Sequence, residues 1–212
     1  MPILFDLDGT LANPREGIVA SLKFALAQAG REAPGDSELE ATIGPPIHLA
    51  MSSLLETADE SIIAAGVAAY RDEFSRVGVS GNTVYPGIID VLRALHASGT
   101  SLYVATSKAR HFAEKIIATH GLSEFFAGVY GSELDGTRSD KGELIAYLLQ
   151  RESLSPTACV MVGDRKHDIL GAKANRVAAI GVLWGFGSRE EFESCGAETV
   201  VERPSQLLAA VG

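Results

Sequence analysis

Residues 3–10 read ILFDLDGT, an apolar run that ends in two aspartates separated by a single leucine. Alternate side chains of a β-strand point to the same side, so Asp6 and Asp8 project together while Leu7 points away. Two carboxylates this close are costly unless they share a cation or a proton. The pattern therefore favours a functional site at the end of this strand, built on the two carboxylates. Two alternatives stay open: a DxD that only caps a turn, and the metal-binding DxD of a sugar-nucleotide transferase.

Short apolar runs alternate with amphipathic segments over most of the chain, which is typical of a parallel sheet wrapped by helices. The apolar runs indicate strands that are covered on both faces. The predicted strands are Ile3–Asp6, Ser101–Thr106, Gly128–Gly131, Ala158–Gly163, Ala179–Leu183 and Glu198–Val201. Helices are predicted between them at Ile88–Ala97, Ala109–His120 and Lys141–Arg151. The sequence therefore predicts a doubly wound, Rossmann-like α/β core.

The segment from Pro14 to about Thr83 breaks this alternation, because only helical signals occur there. Asn13 is predicted as the N-cap of the first of these helices and Pro14 as its first helical residue. Structureless loops of this length are uncommon, so the segment indicates an inserted domain. We expect an all-helical cap at residues 15–83 and a core formed by residues 1–14 and 84–212.

Two further strand ends carry polar side chains. Thr106 and Ser107 lie at the end of a predicted apolar strand, where a hydroxyl and free N–H groups suit phosphate oxygens, although taken alone an ordinary helix N-cap explains them more simply. Asp164 and Asp168 follow Gly163 after another apolar strand, where a helix-capping loop is an alternative. Ligands of open parallel sheets bind beyond the carboxyl ends of the strands. Lys141, at the start of a predicted helix, adds a cation.

Composition limits the classes of partner. The chain has 212 residues and a net charge of −9, which argues against a nucleic-acid surface because a phosphate backbone requires a basic one. A metal ion could still reverse the sign locally for a small anionic substrate. Cys159 and Cys195 lack metal or redox spacing. The early aspartates do not fit a signal peptide, and no apolar stretch reaches the roughly 18 residues of a membrane span. We expect a cytoplasmic protein with no membrane or nucleic-acid partner, as a monomer or homodimer.

In this order, the DxD, the Thr106 strand end, Lys141 and the Asp164/Asp168 pair resemble the four motifs of the haloacid dehalogenase-like hydrolases. The resemblance covers essentially the whole chain, including a helical cap inserted directly after the first motif. It is greatest to the phosphoglycolate phosphatase-like branch, whose small helical cap the insertion matches. The resemblance implies a phosphatase that acts on a small phosphorylated metabolite.

The same resemblance implies a role for each motif residue. Asp6 would be the nucleophile and a magnesium ligand. Asp8 would act as the general acid and base and would bind Mg²⁺ through its main-chain carbonyl. Asp164 would complete the protein's ligands, and Asp168 would hold the waters of the ion. The remaining roles concern phosphate: the phosphoryl oxygens would be bound by Thr106 and Lys141, with Ser107 as a further candidate.

Other polar and aromatic residues are weaker candidates. His48, after a Gly-Pro-Pro segment of the cap, is a candidate substrate contact. Arg15 is placed to meet a substrate anion and His167 to reach a phosphate, but solvated positions explain both residues more simply. Trp184 and Phe186 are expected to be core or rim residues.

Phosphoglycolate is the first substrate predicted from the resemblance, with a nucleoside 5′-monophosphate as the alternative. A sugar-phosphate mutase and a non-catalytic binding protein are the other hypotheses. A dehalogenase would lack Asp8. A phosphonate hydrolase needs a Schiff-base lysine in the cap, where the sequence has only Lys23.

Overall fold

The computed structural model describes residues 1–211. It divides into two compact units, Met1–Asn13 together with the chain from Val84 onwards, and Pro14–Thr83. The strands are β1 (Ile3–Phe5), β2 (Ala12–Asn13), β3 (Thr83–Val84), β4 (Leu102–Ala109), β5 (Gly128–Ser132), β6 (Val160–Gly163), β7 (Ala178–Val182) and β8 (Thr199–Val201). The helices are α1 (Arg15–Gln28), α2 (Asp36–Glu40), α3 (Ile47–Leu54), α4 (Glu60–Glu73), α5 (Ile88–Ala97), α6 (Arg110–Thr119), α7 (Lys141–Arg151), α8 (Lys166–Ala174), α9 (Arg189–Ser194) and α10 (Leu207–Ala210).

The first unit is built on a six-stranded sheet of order β5-β4-β1-β6-β7-β8, in which all five pairs of neighbouring strands are parallel. The chain runs outward from β1 to β4 and β5, and then returns to the other side of β1 for β6, β7 and β8. This reversal places β1 at the topological switch point, where open α/β sheets bind their ligands. The predicted doubly wound α/β fold with a helical insertion is confirmed.

Apolar side chains fill the space between the sheet and its helices. Leu4 and Met161 in the strands pack with Leu144 and Leu148 of α7, and all four are fully buried. The helices α7 and α8 approach closely at two glycines, since a Cβ on Gly171 would lie 3.0 Å from the main-chain nitrogen of Gly142. This packing holds the first turn of α7 near the centre of the sheet.

The second unit contains four helices, with α1 packed against α4 and α3 against α4. A π-helical turn at Phe74–Gly78 extends α4. A Cβ on Gly17 would lie 2.6 Å from the carbonyl oxygen of Gly78, so α1 can approach this turn only without a side chain there. No helix in residues 1–211 is both long and apolar enough to cross a membrane.

The predicted start of α1 is wrong. Pro14, not Asn13, is the N-cap residue, and no side chain donates or accepts the capping hydrogen bond. Asn13 instead belongs to β2, which pairs with β3 in a two-stranded sheet that the sequence did not predict. Its extended backbone therefore serves a strand and not a helix start.

Candidate active site

The carboxyl end of β1 delivers the first pair of aspartates. The Asp6 N–H donates to the Val162 carbonyl at 2.9 Å, which ties the residue to the neighbouring β6. After Asp8 the chain turns through Gly9, whose φ of +83° lies in the left-handed region that favours glycine. Both aspartates are buried. The strand and the turn together fix two acidic side chains at the switch point.

The adjacent strand β6 delivers the second pair of aspartates. Asp164 directly follows Gly163, and Asp168 lies in the first turn of α8, where its Oδ2 accepts the Arg165 N–H at 3.1 Å. A Cβ on Gly163 would lie 2.2 Å from the Asp168 carboxyl carbon, so only glycine allows this approach. The Asp168 carboxylate thus caps its own helix and also faces the site.

The carboxylates of Asp6, Asp164 and Asp168 gather oxygens that lie within 4.8 Å of one another, and all three residues are buried. Burial raises the pKa of Asp164 well above its ordinary value, and the charges of Asp6 and Asp168 raise it further. The Oδ1 atom of Asp164 is buried and has no hydrogen-bond partner within the described residues. Mg²⁺ prefers carboxylate oxygens and offsets such repulsion, so this donor set fits the ion that the sequence implied.

Lys141 enters this cluster from the first position of α7. Its Nζ lies 2.9 Å from Asp6 Oδ1 and 2.8 Å from Asp168 Oδ1, and it donates to the Ala105 carbonyl at 2.9 Å. Burial by itself would lower the pKa of Lys141, but the carboxylates of Asp168 and Asp6 outweigh this effect and raise it. The lysine therefore stays charged inside the protein and can attract a phosphoryl group to Asp6.

Thr106 and Ser107 lie in the second half of β4, on the other side of β1, and the strand continues past its predicted end at Thr106 to Ala109. Thr106 is buried, and its hydroxyl accepts the Lys108 N–H at 3.3 Å. The Ser107 carbonyl accepts the hydroxyl of Ser132 at 2.9 Å. The pairing of β4 with β5 shifts register between Thr106 and Ala109, as a β-bulge does.

This bulge brings in a residue that the sequence reasoning missed. The Lys108 Nζ lies 2.8 Å from Asp8 Oδ2, and the lysine side chain is only 7% exposed. Burial raises the pKa of Asp8, while the charge and hydrogen bond of Lys108 lower it. The only sequence signal was its position two residues after Thr106, because regular strand alternation does not reveal a bulge.

The structure thus brings most of the predicted site residues together. Lys141 contacts Asp6 and Asp168, and the Asp164 carboxylate lies in the same cluster. Asp8 interacts with the charge of Asp6, and Thr106 lies on the neighbouring strand β4. The two candidates from the helical insertion are placed only within their own unit. His48 is an exposed residue in the first turn of α3, and the Arg15 guanidinium lies 2.6 Å from Glu40. The contact with substrate for which His48 is a candidate stays a prediction. His167 is half-buried in α8, and burial lowers its pKa.

Residues 3–182 match the family model described as haloacid dehalogenase-like hydrolase. The chain belongs to this family. The match includes all the strand ends described above, so the resemblance predicted from the motifs is confirmed.

Relatives of this haloacid dehalogenase-like hydrolase bear different names. A protein of Pseudomonas aeruginosa named 5′-nucleotidase is 47% identical over 194 residues, which cover 91% of this chain and 86% of that protein. Tyrosine-protein kinase PtkA of Mycobacterium tuberculosis is 37% identical over 207 residues, which cover 97% of this chain and 69% of that protein. Phosphoglycolate phosphatase of Vibrio vulnificus is 29% identical over 221 residues, which cover 99% of this chain and 95% of that protein.

A solved structure supports the same class. The crystal structure of a predicted phosphatase from Clostridium acetobutylicum superposes with a TM-score of 0.95 at 35% identity, covering 99% of this chain and 96% of that one. The family and these relatives support the predicted enzyme class, a phosphoric monoester hydrolase.

Proposed function

We propose that this hydrolase cleaves small phosphate monoesters through an aspartyl-phosphate on Asp6, with Mg²⁺ held by Asp6, Asp164 and the Asp8 carbonyl. The observation that carries the proposal is the position of Asp6 at the switch point, in contact with Lys141 and within the buried carboxylate cluster. A carboxylate there can attack a phosphorus atom whose oxygens are drawn to a buried ammonium.

In the first step a carboxylate oxygen of Asp6 forms a bond to phosphorus while the bond to the ester oxygen breaks. Asp8 gives its proton to the departing oxygen. Lys141 and Thr106 hold the phosphoryl oxygens, where negative charge must be neutralised in the transition state. Mg²⁺, when bound, would supply further neutralisation of the negative charge in the transition state.

In the second step Asp8, now ionised, takes a proton from a water molecule that attacks the phosphorus atom. The bond between phosphorus and Asp6 breaks, and inorganic phosphate leaves. Lys108, paired with Asp8, keeps this carboxylate in one orientation through both steps. Asp168 also holds Lys141, with its Oδ1 2.8 Å from the lysine Nζ.

For the substrate, we infer that nucleoside 5′-monophosphates rank ahead of phosphoglycolate. The resemblance of the motifs alone predicts phosphoglycolate as the first substrate. The relative named 5′-nucleotidase, however, shares 47% identity with this chain, whereas the one named phosphoglycolate phosphatase shares 29%. Both substrates present the same phosphoryl group to Asp6, so the core site supports either one.

The test is release of inorganic phosphate from a panel of both classes, with and without excess chelator. We expect turnover that requires Mg²⁺, is inhibited by Ca²⁺ and is faster with nucleoside 5′-monophosphates, since Ca²⁺ has larger and more flexible coordination. Full turnover in chelator would contradict the proposal. Ester consumed without equal release of phosphate would reveal a mutase or another acceptor in place of water.

A further inference from the structure

The segment Trp184-Gly185-Phe186-Gly187 follows β7 and lies against the site, although its sequence indicated only core or rim packing. The Phe186 N–H donates to Asp164 Oδ2 at 2.8 Å. The indole N–H of Trp184 donates to the Thr10 carbonyl at 3.0 Å, in the turn that follows Asp8. Residues 184–187, here called the orienting loop, therefore contact both acidic strand ends.

The two glycines of the orienting loop lie against Asp164 with no room for a side chain. A Cβ on Gly185 would lie 2.4 Å from Asp164 Oδ2 and 2.3 Å from the Gly9 carbonyl oxygen. A Cβ on Gly187 would lie 1.9 Å from the Asp164 carbonyl oxygen. Neither glycine has a left-handed φ, so space and not backbone conformation explains their presence.

The contacts divide the Asp164 carboxylate between two tasks. Its Oδ2 accepts the main-chain N–H of the orienting loop, whereas Oδ1 has no hydrogen-bond partner within residues 1–211. Asp164 is fully buried, so its rotamer is set by these neighbours and not by water. Groups that hydrogen-bond a metal ligand fix its direction and tune metal affinity.

We propose that the orienting loop is a positioning element, which fixes the Asp164 carboxylate so that Oδ1 is presented to the divalent cation. This inference rests on the proposed function and adds to it residues of a fourth strand end. The role assigned to the loop requires its contacts with Asp164 and Thr10 and no contact with the phosphoryl group. Its effect is on the affinity for Mg²⁺.

The test is calorimetric titration of Mg²⁺ into the metal-free protein, with Gly185→Ala as the main variant. The added methyl group displaces the loop from Asp164, and we expect the Kd for Mg²⁺ to rise by about 10- to 100-fold. Activity should recover when Mg²⁺ is raised to saturation. Gly35→Ala is the matched control, because nothing lies within 4 Å of its Cβ position and its φ is −62°.

A second variant covers the case in which Gly185→Ala does not fold. Trp184→Phe keeps an aromatic ring but removes the hydrogen bond to Thr10, and a smaller rise in the Kd for Mg²⁺ is expected. A Kd unchanged from wild type in a folded variant of either kind would overturn the inference. Absence of Mg²⁺ binding by the wild-type protein would instead overturn the proposed metal dependence, and the inference with it.

Discussion

Each cation of the candidate site has a defined carboxylate partner. Lys141 lies between Asp6 and Asp168, and Lys108 pairs with Asp8. Asp164 accepts a main-chain N–H and adds a further buried negative charge to this group. The cost of ionised Asp164 is what a divalent cation would offset.

Asp164→Asn should therefore stabilise the metal-free protein at neutral to alkaline pH. A carboxyl whose pKa is raised by folding makes the folded protein less stable as the pH rises from the unfolded-state pKa to the folded-state pKa. Above the folded-state pKa this loss of unfolding free energy stays constant. The uncharged amide avoids this loss, so its advantage should be absent in acid and appear as the pH rises. Thermal unfolding in chelator measures it, and each kcal/mol corresponds to about 2–4 °C.

Mg²⁺ provides the matched comparison for this substitution. The ion should raise the Tm of the wild-type protein much more than that of Asp164→Asn. Equal stabilisation of both proteins by Mg²⁺ would remove Asp164 from the metal site.

Lys108→Met should lower turnover while the protein still folds. The substitution leaves the Asp8 carboxylate buried without the Lys108 ammonium, which should disorder the group proposed to transfer protons. We expect kcat to fall by about 100-fold, the scale of general acid–base catalysis. Lys115→Met, on the exposed face of α6, is the control. A Lys108→Met enzyme as active as this control would exclude a role for Lys108.

At the scale of elements, the helix α7 brings Lys141 to the site by its N-terminus. The Asp140 carboxylate caps this helix by accepting the Glu143 N–H at 3.0 Å. Lys141 itself is held by three further contacts, to Asp6, Asp168 and the Ala105 carbonyl. The cap and the contacts are thus separate supports for the same residue.

Asp140→Ala should cost about 1 kcal/mol of unfolding free energy. Because the three contacts of Lys141 persist, kcat should change by less than about ten-fold, a cost below that of removing a group that binds the transition state. Denaturant unfolding and steady-state kinetics measure the two effects. Asp59→Ala, which removes the cap of α4 in the helical unit, is the control for lost capping alone. A loss of turnover as large as that of Lys141→Ala would show that the cap fixes the lysine.

Several elements could be predicted from the sequence because their signals are local. The apolar runs predicted β1, β5, β6, β7 and β8 to within two residues at each end, and α7 begins and ends where it was predicted. The strand β4 begins within one residue of its prediction but ends at Ala109, three residues beyond the predicted end at Thr106. The acidic strand ends followed from the same runs. These features depend on hydrophobic periodicity and on residues close in the chain.

Features that depend on distant contacts could not be predicted. The position of Lys108 results from a bulge in the pairing of β4 with β5, and the packing of the orienting loop on Asp164 joins residues 22 apart. The strands β2 and β3 pair where the chain enters and leaves the helical insertion. This pairing places Asn13 in a strand, so Pro14 and not Asn13 is the N-cap residue of α1. In each case tertiary pairing decided what local preference left open.

At the scale of the whole molecule, two chain crossings join the α/β unit to the helical unit, at Asn13–Pro14 and Thr83–Val84. The residues proposed to carry out phosphoryl transfer all lie in the first unit. We predict that the helical unit selects substrates, since a lid can exclude water and contact the leaving group without touching the phosphoryl group.

Substitutions in the two units should therefore differ in kind. His48→Ala should change the ratio of kcat/KM between nucleoside monophosphates and phosphoglycolate. Thr106→Ala and Lys141→Ala should lower kcat/KM for every substrate by similar factors, because all present the same phosphoryl group. The assignment of substrate selection to the helical unit would be contradicted if His48→Ala lowered kcat/KM equally for all substrates while Lys141→Ala changed the ratio of kcat/KM between substrates.

The most direct test of the account is to trap the phosphoenzyme. A single turnover with Mg²⁺ and a nucleoside 5′-monophosphate, quenched in acid within the first turnover and digested, should yield a peptide phosphorylated on Asp6. Asp6→Asn, nearly identical in shape, should give no phosphopeptide and no turnover. A wild-type enzyme that releases phosphate with no adduct at any quench time, or an active and folded Asp6→Asn protein, would contradict nucleophilic catalysis by Asp6.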